Sequence, residues 1–339
     1  MINDPETLTG VVLNGAHGIY DVHTDIGVLR CTLRGKLKKA FAQAQSAKLT
    51  GKANLYKDKS YASRYQRNEE DSAFPSRLTA GDHVKLRQLD DSTGLIEEIL
   101  PRQSELLRKD ANADAKRASA QTMLANLDQV VIVLATTRPE PHFGMLDRYL
   151  AICESAKVCP IICLNKVDLP HNQSVEEAAA LYERLGYTAT WTSPKTGVGI
   201  ETLHSLLREH TSLFTGPSGV GKSSLVNAIE PGMAIKTGLV SDATGKGRHT
   251  TTGSQLYPLS DGGWLADSAG IRALATWDIA PEDLASCFVE FRPYLGECFF
   301  SDCLHVDEEG CAIRQAVADE VINERRYMSY VRMVTGEER

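Results

Sequence analysis

The chain contains no run of 18 or more apolar residues among its 339, so no membrane-spanning helix is expected. Its start, Met1-Ile2-Asn3-Asp4-Pro5-Glu6, lacks the basic residues and apolar stretch of an export signal. These two absences lead to the expectation of a cytoplasmic protein without membrane partners. Cysteine is scarce and uneven: of eight, three fall with one histidine inside 14 positions. Without an export signal, that clustering favours a metal site over disulfides. The profile of a disordered chain is missing too, because 42% of residues are hydrophobic and 24% charged. At this length two or three domains are expected.

The net charge of −7 is unevenly spread. Residues 1–110 hold 17 Lys/Arg against 15 Asp/Glu, and residues 111–339 hold 20 against 29. Between Arg30 and Arg67 stand 11 basic residues and one acid, Asp58, interleaved with Tyr56, Tyr61 and Tyr65. Such an arm can neutralise phosphates and stack on unpaired bases. A solvated loop has the same composition.

Five short alternating stretches lie at residues 9–13, 18–22, 27–33, 82–86 and 94–100, with a turn at Asn14-Gly15. They predict a small β-barrel of the oligonucleotide-binding (OB) type. The Lys- and Ala-rich segment at 36–77 reads as a long loop inserted in it. Residues 102–125 read as a linker running into a helix. An alternating α/β pattern follows, with strands at 129–135, 160–164, 187–192 and 211–215, and helices at 146–157, 175–185 and 200–209. Two further strands are expected at 254–259 and 263–267. From about Asp278 the chain reads as helical. The expected domains are 1–105 (barrel), 106–277 (α/β) and 278–339 (helical, metal-binding).

Gly216-Pro217-Ser218-Gly219-Val220-Gly221-Lys222-Ser223, followed by Ser224, fits a phosphate-binding loop between a strand and a helix. Glycines let backbone N–H groups close around a β-phosphate, Lys222 places a charge on the β/γ oxygens, and the Ser223 hydroxyl suits Mg²⁺. Asn165-Lys166-Val167-Asp168 fits a guanine-reading motif. The Asp168 carboxylate can accept from N1–H and N2–H₂ together, a donor pair that adenine lacks. Lys166 would lie along the ring and Asn165 would tie this loop to the phosphate loop. Alone the four residues are a weak signal; after a buried strand and beside a phosphate loop they are strong. The base-reading half precedes the phosphate-reading half, the reverse of an ordinary small GTPase, so the domain reads as circularly permuted.

Ser193-Pro194-Lys195 occupies the place of a second base-contact loop. Pro194 has no N–H to offer, so either a neighbouring amide substitutes or base discrimination is weaker. Asp267-Ser268-Ala269-Gly270 fits a DxxG motif, in which Asp267 holds Mg²⁺ through water and the Gly270 amide senses the γ-phosphate. Ile271 cannot orient water as a glutamine there would. Gly247-Arg248-His249-Thr250-Thr251-Thr252 is the switch candidate: Thr251 to complete the Mg²⁺ shell and His249 to orient water or act as a base, unless it is an ordinary solvated histidine. Cys298, Cys303, His305 and Cys311 form a Cys₃His set, the ligand count of a closed structural zinc site.

The permuted order, Gly-Pro-Ser-Gly-Val-Gly-Lys-Ser-Ser at 216–224, Gly-Arg-His-Thr-Thr-Thr at 247–252 and the Cys/His spacing at 298–311 together resemble the RsgA (YjeQ) family of small-ribosomal-subunit-dependent GTPases. The resemblance spans nearly the whole chain. It implies an OB barrel, a permuted GTPase and a zinc domain, and GTP hydrolysis stimulated by the small subunit during its late maturation, with rRNA contact. It also implies a catalytic role for His249. Zinc, magnesium, GTP/GDP and the subunit are the expected partners, and a monomer the expected state. The sequence departs from the family at Ser268-Ala269, Pro194 and the 36–77 insertion. The competing readings are a nucleotide-gated binding protein without turnover and an ATP-directed enzyme, against which Asp168 speaks.

Overall fold

The computed structural model describes residues 7–41, 77–109, 120–233, 254–266 and 279–337. Chain contacts divide them into two units, which meet in sequence between Leu127 and Asp128. Residues 254–257 fall with the first.

The first unit is a closed barrel. Strands β1 (Thr7–Ala16), β2 (Ile19–Thr24), β3 (Gly27–Leu33), β4 (His83–Gln88) and β5 (Thr93–Ile99) pair in the order β1-β2-β3-β5-β4, and β4 closes on β1. β3 and β5 run parallel, the other neighbours antiparallel. Alternation places Val12, Val22, Leu29, Cys31, Val84, Leu86 and Ile96 inside.

Two features of this barrel differ from the sequence reading. Asn14-Gly15 is not a turn but lies within β1, opposite Asp21 and Tyr20. The turn is His17-Gly18, where both residues have positive φ (54° and 81°), as a tight two-residue hairpin requires. Gly15 serves a steric need instead: a Cβ there would lie 2.2 Å from the Tyr20 ring. The segment after β3 opens as a helix at residues 35–41, not as a loop. Leu37 and Phe41, one helical turn apart, enter the barrel core, while Lys36, Lys38 and Lys39 face out.

Residues 102–125 form no linker helix. β6 (Glu105–Lys109) and β7 (Ala120–Ala125) pair as an antiparallel ribbon. Arg102 ties it to the barrel: Nε and Nη2 donate to the two oxygens of the fully buried Asp82 at 2.7 and 2.9 Å, and Nη1 donates to Glu105 and Thr122.

The second unit is built on an α/β sheet in the order β10-β9-β8-β11-β13-β12, with β8 Gln129–Ala135, β9 Cys159–Asn165, β10 Thr188–Thr192, β11 Thr211–Thr215, β12 Leu256–Pro258 and β13 Trp264–Ala266; β8 to β11 and β13 pair in parallel, and β12, which precedes β13 by a tight turn, lies at the edge. β8 is buried along its whole length, as a central parallel strand must be. The helices are α1 (Phe143–Ala156), α2 (Gln173–Arg184), α3 (Ile200–Leu207) and α4 (Lys222–Ile229). The chain runs outward from β8 to β10 and then returns to place β11 on the other side of β8. That reversal makes a crevice at the carboxyl ends of the strands.

The C-terminal part carries α5 (Pro281–Leu284), 3₁₀ turns at Ala285–Cys287 and Val289–Tyr294, α6 (Ala312–Ala318) and α7 (Glu324–Thr335). Its core is Phe288, Phe291, Ile313 and Tyr330, and α1 packs on it through Ala151. No helix among the described residues is long and apolar enough to cross a membrane.

Candidate functional site

The carboxyl ends of β9, β10 and β11 bring the two halves of the nucleotide motifs together. β11 feeds the phosphate loop, and α4 opens at Lys222 directly after it. Gly216, Gly219 and Gly221 all have positive φ. At two of them the space is also closed. A Cβ on Gly216 would sit 2.1 Å from the Val133 carbonyl oxygen, and one on Gly221 2.3 Å from Asn165 Nδ2. Lys222 Nζ donates to the carbonyls of Gly216 and Pro217, each at 2.9 Å, so its ammonium is folded over the loop.

Asn165 ends β9 almost fully buried. Its Nδ2 donates to the Val220 carbonyl at 2.8 Å, and its Oδ1 accepts from Thr192 Oγ1 at 3.2 Å. One side chain therefore connects the base loop, the end of β10 and the phosphate loop. Lys166 is held in the left-handed region (φ 69°), and its Nζ donates to the carbonyls of Gly219 (2.6 Å) and Arg138. Asp168 stands beyond it. Ser193, itself fully buried, donates its hydroxyl to Asp168 Oδ1 at 2.8 Å, and Lys195 approaches Oδ2 at 3.5 Å. The Ser193 hydrogen bond, helped by Lys195, holds the Asp168 carboxyl below the usual carboxylate range, so it is an acceptor at neutral pH.

Of the site residues expected from sequence, Asn165, Lys166, Asp168, Ser193, Gly216 to Ser223 and Ser224 lie in or beside this cradle. His249, Thr251, Asp267 and Gly270 lie outside the described residues, as do Ile271 and Tyr56, Tyr61 and Tyr65 of the basic arm. The sequence reading missed the residues that support the cradle. The Arg138 carbonyl is one. Thr136, whose N–H donates to the Asn165 carbonyl at 2.9 Å, and Thr192 are the others. Their contacts run through backbone atoms or a single hydroxyl, which no spacing pattern records.

The second cluster is Cys298, Cys303, His305 and Cys311, whose ligand atoms lie within 4.8 Å of one another. Cys298 and Cys311 Sγ are 3.9 Å apart, and each is 3.4 Å from His305 Nδ1. A tetrahedral zinc with bonds of ~2.3 Å to sulfur and ~2.0 Å to nitrogen would set those edges at about 3.8 and 3.5 Å. The residues fit such an ion. Burial, with the neighbouring Cys311 and Cys298 acting in the same direction, pushes the Cys303 thiol up to about 12, and burial lowers the pKa of the His305 imidazole against the opposing charge of Glu308. The scaffold is built around the cluster: Glu308 accepts the N–H groups of Leu304, Val306 and Asp307, and Tyr327 and Tyr330 donate to the carbonyls of His305 and Leu304. The sequence reading missed these supports as well.

A sequence model of the RsgA GTPase family matches residues 99–277. A relative from Gemmatimonas aurantiaca, named small ribosomal subunit biogenesis GTPase RsgA, is 39% identical over 96% of both chains. The crystal structure of YjeQ from Thermotoga maritima superposes with a TM-score of 0.71 at 29% identity, covering 98% of each chain. That of YloQ, described as a circularly permuted GTPase, superposes with a TM-score of 0.67 at 26% identity, covering 100% of this chain and 99% of the other. A barrel, a permuted phosphate-loop domain and a Cys/His cluster in one chain, matched end to end, place it in the RsgA family of GTPases.

Proposed function

We propose that this GTPase hydrolyses GTP to GDP and phosphate when bound to the small ribosomal subunit, late in that particle's maturation. The observation that carries the reading is the Asn165–Val220 hydrogen bond, which joins a guanine-reading loop and a phosphate loop into one cradle despite their reversed order. The relatives' name supplies the subunit.

Asp168 selects guanine through N1–H and N2–H₂, with Lys166 along the ring and Ser193 fixing the carboxylate. Backbone N–H groups between Gly216 and Ser224, Pro217 excepted, enclose the phosphates. Lys222 exchanges its loop carbonyls for β/γ-phosphate oxygens, so catalysis is positioning plus charge compensation. Ser223 and Thr251 offer the hard oxygen ligands that suit magnesium, with Asp267 acting through water. Magnesium there would neutralise charge developing on the transferred phosphoryl. Gly270 senses the γ-phosphate. Ile271 cannot orient water, and His249 takes that task. Cys298, Cys303, His305 and Cys311 hold one structural zinc. The division of labour is 1–105 for rRNA, with the arm at 36–77 reaching phosphates and bases, 106–277 for GTP, and 278–339 for the metal module. The protein acts as a cytoplasmic monomer.

Steady-state phosphate release from GTP, with and without purified small subunits at fixed Mg²⁺ and salt, tests this. Weak basal turnover and strong stimulation are expected. His249→Ala should lose most of the stimulated rate and keep GTP affinity. Equal turnover in both conditions would overturn the subunit dependence, and unchanged stimulation in the variant would remove His249 from the mechanism.

A further inference from the structure

The metal module presents two aromatic rings to solvent. Phe299 is 81% exposed and Phe300 46%, and their rings meet edge to face at 5.0 Å. Leu304, four residues on, is also exposed. This apolar tip is not a loose end. Phe299 follows Cys298 of the metal cluster, Phe300 lies three residues before Cys303, and the Phe299 N–H donates to the Gly310 carbonyl at 3.1 Å. A scaffold of hydrogen bonds and metal ligands thus holds two large apolar side chains in water, the arrangement of an anchor awaiting a partner.

The surroundings say what kind of partner. From Pro293 to Ile313 the chain has no lysine or arginine. Glu297, Asp302, Asp307 and Glu309 are exposed in the same stretch of chain as the rings, while the Glu308 carboxylate accepts the module's own backbone N–H groups. The bordering arginines are engaged: Arg292 pairs with Glu154 at 2.7 Å, and Arg314 donates to the Glu308 carbonyl. Four carboxylates repel a phosphate backbone and leave no cation to neutralise it. They attract lysine and arginine.

We infer that the Phe299–Phe300 tip docks a lysine- and arginine-rich protein segment bearing an apolar side chain, not RNA. This deepens the small-subunit reading and rests on it: the segment belongs to a protein of that particle. The rRNA contacts are left to the basic arm of the barrel.

The test uses the full, zinc-loaded chain with the photocrosslinking residue p-benzoylphenylalanine at position 299, mixed with purified small subunits and a non-hydrolysable GTP analogue. Co-sedimentation is read first. Bound particles should yield a protease-sensitive, ribonuclease-resistant adduct. A ribonuclease-sensitive adduct, a dimer of this chain, or no adduct on co-sedimenting particles would each overturn the docking inference alone. Failure to co-sediment would overturn the small-subunit reading and this partner with it. A second measurement reads the sign of the charge effect. Asp302→Lys/Glu309→Lys, checked for unchanged zinc content, should weaken subunit binding several-fold. Tighter binding would indicate RNA at the tip and sink the proposal.

Discussion

Asp168 combines a fixed geometry with a fixed charge. Ser193 donates to one carboxylate oxygen at 2.8 Å and Lys195 lies near the other, which keeps the group ionised and aimed. Replacing it with asparagine exchanges one acceptor oxygen for a donor NH₂. Guanine then loses a charge-assisted hydrogen bond and meets donor against donor at N1–H or N2–H₂. Asp168→Asn should weaken GTP binding by about 3 kcal/mol, roughly a hundredfold in Kd. Xanthine carries a carbonyl where guanine has its amine, so XTP should gain on the variant what GTP loses. Isothermal titration with both nucleotides checks this, and an unchanged GTP/XTP ratio would move base selection away from Asp168. Ser193→Ala should give a smaller loss in the same direction, because the carboxylate remains but its orientation relaxes.

The turn between β4 and β5 shows the same chemistry serving an element. Asp90 Oδ1 accepts from the N–H groups of Ser92 and Thr93, both at 2.8 Å, and Oδ2 accepts from the Thr93 hydroxyl at 2.6 Å. These bonds, the Thr93 hydroxyl foremost, lower its pKa from the usual 3.8 to about 2. The folded state therefore favours the ionised group. Its contribution to stability is complete above the unfolded value near 3.8 and is lost as pH falls towards about 2. Urea midpoints of the parent and Asp90→Asn should differ by a constant amount from pH 8 to pH 5, and the gap should close below pH 4. A gap that stays undiminished down to pH 2 would show that the turn does not depend on the charge. Strands were legible in sequence wherever an unbroken apolar run marks their burial. β8 and β11 stand at the bounds their apolar runs indicate, and Gly-x-Gly-Lys-Ser after β11 marks the phosphate loop. Where the signal is tertiary, legibility failed. The helix at 35–41 rests on two apolar residues in lysine-rich text, β6 and β7 are held by Arg102 reaching Asp82, and the Asn-Gly pair that mimics a turn is a glycine yielding space to Tyr20. In the nucleotide cradle the motif residues were readable and the residues that brace them were not.

At the scale of the whole second unit, the metal module and the GTPase sheet are joined through a buried charge that no motif announces. Arg326 of α7 is 1% exposed. Its Nη1 donates to Asp147 of α1 at 2.7 Å, across 179 positions of sequence, and its Nε and Nη2 donate to the two oxygens of Glu290 at 2.7 and 3.0 Å. Tyr182 of α2 donates to the same Asp147 oxygen at 2.6 Å, and the guanidinium lies 4.5 Å from the centre of the Phe288 ring. One cation thus pairs with two carboxylates from different parts of the chain. The arrangement is asymmetric in energy. Removing the arginine strands Asp147, which is fully buried, and Glu290 without a counter-charge, whereas removing all the charges leaves apolar surface to repack. Arg326→Met should therefore cost about 3–5 kcal/mol of stability, and the triple variant Asp147→Leu/Glu290→Met/Arg326→Met should recover most of that loss. Chemical denaturation followed by tryptophan fluorescence measures both. The zinc content of each variant shows whether the metal module survives by itself. A single variant as stable as the parent would mean that the apolar contacts of α7 with α1 hold the module in place without the clamp. A triple variant no better than the single would mean that the ion network specifies a packing which apolar side chains cannot replace. Because α1 begins just beyond Arg138, whose carbonyl anchors Lys166, loosening α1 should also reach the base loop. The single variant should lose GTP affinity in proportion to its loss of stability, and the triple variant should regain both together.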